Sequence, residues 1–355
     1  MIALLLVLLL SAPQDSSVQR LRAGQEKLKV RDFDGAIPDF ERCLQLQPEE
    51  YNANFGLGIC FWEKEEYQKA RDHFAKVVER VAKEQPGAPL PGVHQKLLGC
   101  AILLEDFDAA VREATHLLQI QTTGEYYYTR ALARRRQGDA KAAIEDCDRA
   151  LREDALLVKA RTLKADAMLS RGETEPALTE YAAAIQAKPS SREGYLGRAC
   201  AFYRLERWAE ALADLKTARK VNRGQSSDLE DLAVTASLAW LVQTRSGQKE
   251  AAAEEVSSFK AVLKEFRKDP SKNHLLALPL YLVGELPEAD LIKTAENSPS
   301  RKAQALCEVH FIIGERKLLA GDSAGARDHF RRCTAAGLFE SDVAPQRLKT
   351  LDQKR

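Results

Sequence analysis

The sequence predicts an all-α solenoid of about seven helix–turn–helix repeats, with an irregular helical insert and a C-terminal capping helix. Three observations predict it. An alanine recurs at Ala36, Ala70, Ala110, Ala143, Ala177 and Ala211, at intervals of 34, 40, 33, 34 and 34 residues. A Gly-Asp or acidic-aromatic turn precedes these alanines. Proline closes units at Pro48 and Pro189, where it stops a helix. A period of this length is one supersecondary unit that cannot bury its apolar face alone, so copies stack into a quasi-one-dimensional array.

The first repeat spans residues 17–50, with Gly24 in its first helix and Phe33, Ala36, Phe40 and Cys43 in or near its second. The second, 51–84, carries Leu57, Gly58, Phe61, Tyr67, Ala70 and Phe74. A Pro/Gly-rich segment, residues 85–92, then inserts six residues and reads as a surface loop. The third repeat, 91–124, has its first helix over 93–104, with Gly99 one place late; Phe107, Ala110 and Leu117 restore the phase. The fourth, 124–157, carries Tyr127, Ala131, Gly138, Ala143 and Ala150. The fifth, 158–191, carries Ala165, Gly172, Ala177, Tyr181 and Ala184. The sixth, 192–225, carries Tyr195, Ala199, Phe202, Trp208, Ala211 and Ala218.

Small residues in the middle of each first helix and at the start of each second helix let two backbones approach. Larger residues such as Phe61 and Phe74 fill the gaps between ridges. Across about two thirds of the chain these features resemble the tetratricopeptide repeat family. The resemblance implies a superhelix that binds other proteins rather than one that catalyses.

After Gly224 the beat is lost, and residues 226–306 read as an irregular helical region. Helices are expected over 229–243 and 249–266; Pro270, Pro279, Gly284 and Pro287 then break the chain into short pieces. A last repeat at 307–340 carries Phe311, Gly314, Gly321-Asp322, Ala326, Phe330 and Cys333, and a helix over about 342–351, within 341–355, caps the open end. The strings Ser237-Leu238-Ala239-Trp240-Leu241, Leu280 to Leu286, Phe311 to Glu315 and Leu319 to Asp322 resemble the C-terminal half of NlpI-type repeat proteins. That resemblance implies an adaptor of the bacterial cell envelope that dimerises and serves peptidoglycan hydrolases and a periplasmic protease. This chain departs from it in lacking a lipid-attachment cysteine after its apolar start and in having more repeats upstream.

Of the 355 residues, 30% are charged, yet the net charge is +1. A nucleic-acid binder usually shows a clear basic excess, so none is expected as partner. Residues 1–10 are wholly apolar and are followed by Ser11-Ala12-Pro13. The run is too short to span a bilayer, which takes about 20 residues. It suits a secretion signal, so residues 1–13 are expected to be removed and the protein exported, periplasmic or secreted. A cytoplasmic location is the other reading. Seven scattered cysteines without a CxxC do not make a disulfide framework, and an odd number cannot all pair in one chain.

No HExxH, GxSxG, P-loop or GxGxxG context occurs, so no enzyme, cofactor or metal is expected; the alternative readings are a cytosolic assembly or chaperone-like factor and, behind it, a metal-dependent enzyme with its site in the C-terminal third. One grouping has zinc-like chemistry: Cys307 and His310 on one helix, His329 and Cys333 on the next. The competing reading puts Cys333 in the small-residue packing slot of Cys43, Ala150, Ala184 and Ala218. Arg130 and Arg134–Arg136 read as a solvated helix end favoured by the helix dipole, or as a site for an acidic peptide. Repeat phase places Phe55, Ile59, Trp62, Tyr128, Leu132, Arg135, Leu196 and Tyr203 on the inner groove. Aromatics with arginine dominate protein-binding hot spots, so Phe55, Trp62, Tyr128, Arg135 and Tyr203 are the candidate binding residues. The expected partner is a protein or peptide, a second copy of the chain included.

Overall fold

The computed structural model describes residues 16–221, 228–266, 273–298, 302–334 and 339–353. The signal expected in residues 1–13 lies outside these, as does the end of the sixth repeat. The described residues are helical, and no strand occurs among them. They form two compact units, one within residues 16–122 and the other within residues 123–353.

In the first unit, α1 (Ser17–Lys29) pairs with α2 (Phe33–Leu46), α3 (Tyr51–Glu63) with α4 (Tyr67–Glu84), and α5 (Pro91–Leu103) with α6 (Phe107–Ile120). The second unit begins with α7 (Gly124–Arg136) on α8 (Ala140–Glu153), α9 (Val158–Ser170) on α10 (Thr174–Ala187), and α11 (Arg192–Arg204) on α12 (Trp208–Val221). Each helix pair also packs on the next within its unit, as a solenoid requires.

Sequence sets each turn. Asp32, Asp106, Asp139 and Asp322 cap second helices, each side chain accepting from a backbone N–H three residues on. The residue just before the cap is left-handed: Arg31, Glu65, Glu105 and Glu206 have φ near 60°, and Gly138, Gly172 and Gly321 near 85°. Only glycine adopts that conformation without steric cost.

Helix pairing follows size complementarity. Gly24 backs onto Phe40, Gly58 onto Phe74 and Gly314 onto Phe330, each so closely that a Cβ would lie under 3 Å from the ring. In the third repeat the sizes are exchanged: Leu98 stands on the first helix and Ala114 on the second, both buried. This explains why Gly99 is displaced by one place in the sequence. Gly99 instead receives the Trp62 ring of the preceding repeat.

A second, polar beat lies three residues after the alanines, at Asp39, His73, Glu113, Asp146, Glu180, Asp214 and His329. Each reaches back to the first helix of its own repeat. Asp39 pairs with Arg20 and Lys27, His73 with Asn54, Glu113 with His94, Asp146 with Arg130 and Arg134, Glu180 with Lys164, Asp214 with Arg198, and His329 with His310. The carboxylates of Asp39, Asp146 and Asp214 are buried and all carry a cation, the condition for tolerating a buried charge.

Residues beyond 227 continue the pairing where an irregular region was expected. Helix α13 (Asp228–Arg245) turns at the left-handed Gly247 and packs on α14 (Lys249–Phe266). The beat disappears because these helices run to 18 residues, not because pairing stops. Two nine-residue helices follow, α15 (His274–Leu282) and α16 (Glu288–Glu296), then α17 (Lys302–Leu319) and α18 (Ser323–Arg332), and finally α19 (Phe339–Gln353). One apolar core runs from Ala165 through Tyr181, Leu241, Tyr281 and Phe311 to Leu351. The expected capping helix therefore belongs to the main core of the second unit.

Candidate functional site

First helices carry the inner face of a helical-repeat array. In the second unit four of them enclose a cavity of about 320 Å³. α11 contributes Arg192, Leu196 and Cys200; α13 contributes Asp231, Val234, Ser237 and Leu238; α15 contributes His274, Leu275 and Leu278; α17 contributes Gln304, Glu308 and Ile312. On α11 and α17 the lining residues recur every four positions, so one stripe of each helix faces inward.

The cavity has an apolar floor and a polar rim. Arg192 is ion-paired with Asp231 at 2.8 Å, and burial pulls its pKa down while Asp231 and Glu193 act against that shift. Opposite, His274 Nε2 lies 2.7 Å from Glu308 Oε2, while Gln304 donates to Glu308 Oε1 at 2.8 Å. Arg136 at the end of α7 donates to Gln304 Oε1 at 3.3 Å. At the rim, Arg192 and Asp231 thus offset each other's charge, and Glu308 is held by hydrogen bonds. An apolar side chain can fill such a floor while the rim hydrogen-bonds the backbone around it.

The five candidate residues fall differently. Phe55 is 37% exposed on α3, with its ring 5.9 Å from Phe74 and edge-on to it. Trp62 is half-buried between repeats: Lys96 Nζ sits 4.4 Å above its ring, and Tyr67 approaches edge-on at 5.5 Å. In the second unit, Tyr128 is half-buried with Lys159 Nζ 4.6 Å above its ring, and burial raises its pKa. Arg135 is half-buried, and its Nε has no hydrogen-bond partner among the described residues.

Tyr203 departs from the expectation of an open groove position. It is 2% exposed, because Arg347 of α19 lies over its ring at 5.4 Å and Trp208 meets its edge. Leu196 does line the cavity, whereas Ile59 and Leu132 pack into repeat cores. The rim residues Arg192, Asp231, His274 and Glu308 were missed: the last three lie past Gly224, where phase could not be carried, and Arg192 is the first residue of its helix, outside the positions that phase placed on the groove.

The zinc-like grouping resolves into other bonds. Cys307 and Cys333 form a disulfide. His310 Nδ1 lies 3.0 Å from His329 Nδ1, and His329 Nε2 lies 3.1 Å from Glu288 Oε1. His329 therefore donates from Nε2 to the carboxylate and accepts at Nδ1 from His310. Among the described residues no group of three or more potential ligands is arranged for a metal.

A second hollow, about 560 Å³, lies in the first unit between α4, α6, the 85–92 insert and His94. Its walls are mainly second helices and loop, so it is not on the inner face. No helix among the described residues is long and apolar enough to cross a membrane.

The tetratricopeptide repeat family profile matches residues 21–89 and 128–192. A TPR repeat-containing protein of Methanocaldococcus jannaschii is 23% identical over 169 residues, which cover 46% of this chain and 30% of that protein. Among solved structures, a tetratricopeptide repeat protein from Parabacteroides merdae superposes with a TM-score of 0.54 at 18% identity, covering 76% of this chain and all of that one. This last likeness is one of fold.

Proposed function

We propose that this protein, which is built of tetratricopeptide repeats, is a non-catalytic scaffold that holds a segment of a partner protein at the inner-face cavity of residues 123–353. The observation that carries the reading is the cavity itself: four first helices converge on an apolar floor rimmed by Arg192–Asp231 and His274–Glu308. Concave, mainly apolar surfaces with a few fixed polar groups are where ligands bind. Val234 lines the cavity without being fully buried, so Val234→Trp should fill the space at modest cost to stability. The test compares proteins captured from the native host by wild type and by Val234→Trp at matched thermal midpoints. Partners lost with the variant support the reading; a partner held equally by both removes the cavity from it.

The reading includes export. The apolar run of residues 1–10 supports it, as does the Cys307–Cys333 disulfide, since such bonds persist in oxidising compartments. N-terminal sequencing of the native protein is the check. Intact Met1 on protein from the cytosolic fraction would leave a cytosolic assembly factor instead.

A further inference from the structure

Helix α19 does more than close the end of the array. It packs on α18 and α17, as a cap would, and also reaches α9, five helix pairs earlier in the chain. One face is inward: Val343, Ala344 and Leu351 are buried, with Arg347 and Leu348 half-buried between them. That spacing is the stripe of an amphipathic helix laid in a groove. Its centre is Arg347, whose Nε donates to Glu315 Oε1 at 2.8 Å while its guanidinium covers Tyr203.

Two features suit this helix to leave its seat. Glu315 is fully buried and is held a second time, by Arg245, whose Nε donates to its other oxygen at 3.1 Å. Departure of Arg347 therefore does not orphan a buried carboxylate, the event that makes breaking a buried pair so costly. Pro345 lies inside the helix, where it removes one backbone hydrogen bond.

We propose that the surface formed by Tyr203, Arg245 and Glu315 is a docking site for an amphipathic helix that carries an arginine. The chain's own α19 fills it in this structure, and a partner helix of the same pattern competes for it. The required pattern is apolar residues four and three before the arginine, and one and four after it. The inference rests on the inner face being a protein-binding surface, and it names the partner as helical.

The probe is a fluorescent synthetic peptide of residues 339–353, titrated into the full-length protein. While α19 occupies its seat, apparent affinity is reduced by the fraction of molecules in which the seat is open. Arg347→Ala in the chain weakens the internal competitor, so the peptide should bind at least tenfold more tightly than to wild type. The same peptide with alanine at the arginine should lose that binding. Should Arg347→Ala fail to fold, Leu348→Ser is the second loosening variant. Equal affinity of the peptide for wild type and the loosened, folded chains overturns the proposal, as does binding that ignores loss of the peptide's arginine. Val234→Trp keeps the tests apart. Partner loss with that variant beside an unresponsive peptide assay leaves the cavity reading standing and the helix-docking site refuted.

Discussion

Gly58 of α3 and Phe74 of α4 are a matched pair: a Cβ on the glycine would stand 2.6 Å from the ring. The ring cannot yield, because Phe74 is fully buried and Phe55 lies edge-on against it. Gly58→Ala would gain about 1 kcal/mol of helix propensity. Overpacking costs about 1–3 kcal/mol. The net effect should be a loss of stability, read as a lower urea midpoint. Phe74→Ala should cost about 3–5 kcal/mol through the cavity it leaves. The third repeat already uses the opposite sizes, Leu98 and Ala114. Gly58→Leu combined with Phe74→Ala should therefore be more stable than the sum of the single changes. Strict additivity would show that the two positions do not share one space.

The left-handed turn residues can be improved. Glu105 and Glu206 hold φ of 56° and 59°. A side chain in that region costs on the order of 1 kcal/mol, while glycine is free there. Gly138, Gly172 and Gly321 show what the turn prefers. Glu105→Gly and Glu206→Gly should each raise the unfolding midpoint. Arg31→Gly should gain less, because it gives up the Arg31–Glu63 pair and the contact with Phe33. A lower midpoint in the two glutamate variants would contradict this account.

The alanine beat was legible because close helix contact admits only small side chains, whatever the rest of the repeat does. The polar beat has the same intervals but was not read, because its residues change from aspartate to histidine to glutamate. What persists is the bond to the first helix, and a partner's chemistry adjusts to each residue. At Arg130–Asp146 both groups are buried. Asp146→Ala should cost about 3–5 kcal/mol by leaving a buried guanidinium without its counter-charge. Glu79→Ala, at an exposed pair with Lys83, should leave the midpoint unchanged. An unchanged midpoint for Asp146→Ala as well would mean that the buried pair contributes no more than the exposed one.

The inner face was half legible for a related reason. Repeat phase placed Leu196 on the inner groove, and Leu196 lines the cavity. It also placed Tyr203 on the open face, where α19 now covers it. Which segment returns to cover a surface is a long-range fact that no local period encodes. Arg192, Asp231, His274 and Glu308 meet only because α13, α15 and α17 continue the array with helices of unequal length.

Acid should destabilise the protein through its histidines. His310 is pushed down to about 4, chiefly by burial and then by His329 and Arg332. His329 is also lowered by burial, against the pull of Glu288. His73 is pushed down to about 4, again chiefly by burial. These imidazoles are neutral in the fold, whereas the unfolded chain takes up protons near the ordinary value of about 6.5. Between pH 6.5 and 4 the unfolded state therefore binds more protons, and stability falls as pH falls. The stabilisation is complete above about pH 6.5. For His73 and His310 a shift of this size corresponds to about 3 kcal/mol each. Replacing His73 by glutamine should flatten the fall of thermal midpoint between pH 7 and pH 5. An unchanged slope would place the titration elsewhere.

Thiol chemistry separates the cysteines. Cys43, Cys60, Cys100 and Cys147 are buried, whereas Cys200 is partly exposed at the cavity. Burial pushes the Cys60 and Cys100 thiols up to about 11, and raises Cys43 and Cys147 as well. The thiolate is the reacting species, so at pH 8 these four are both inaccessible and protonated. A maleimide reagent on the folded protein should modify one cysteine, Cys200, and the other four only after denaturation. Mass spectrometry of the labelled peptides reads the result. Because Cys200 lines the cavity, a bulky adduct there should also block capture of the partner, whereas Cys200→Ser should retain it. Early labelling of Cys147 would show that α7 and α8 open readily. Labelled protein that still holds its partner would move the binding surface away from the cavity.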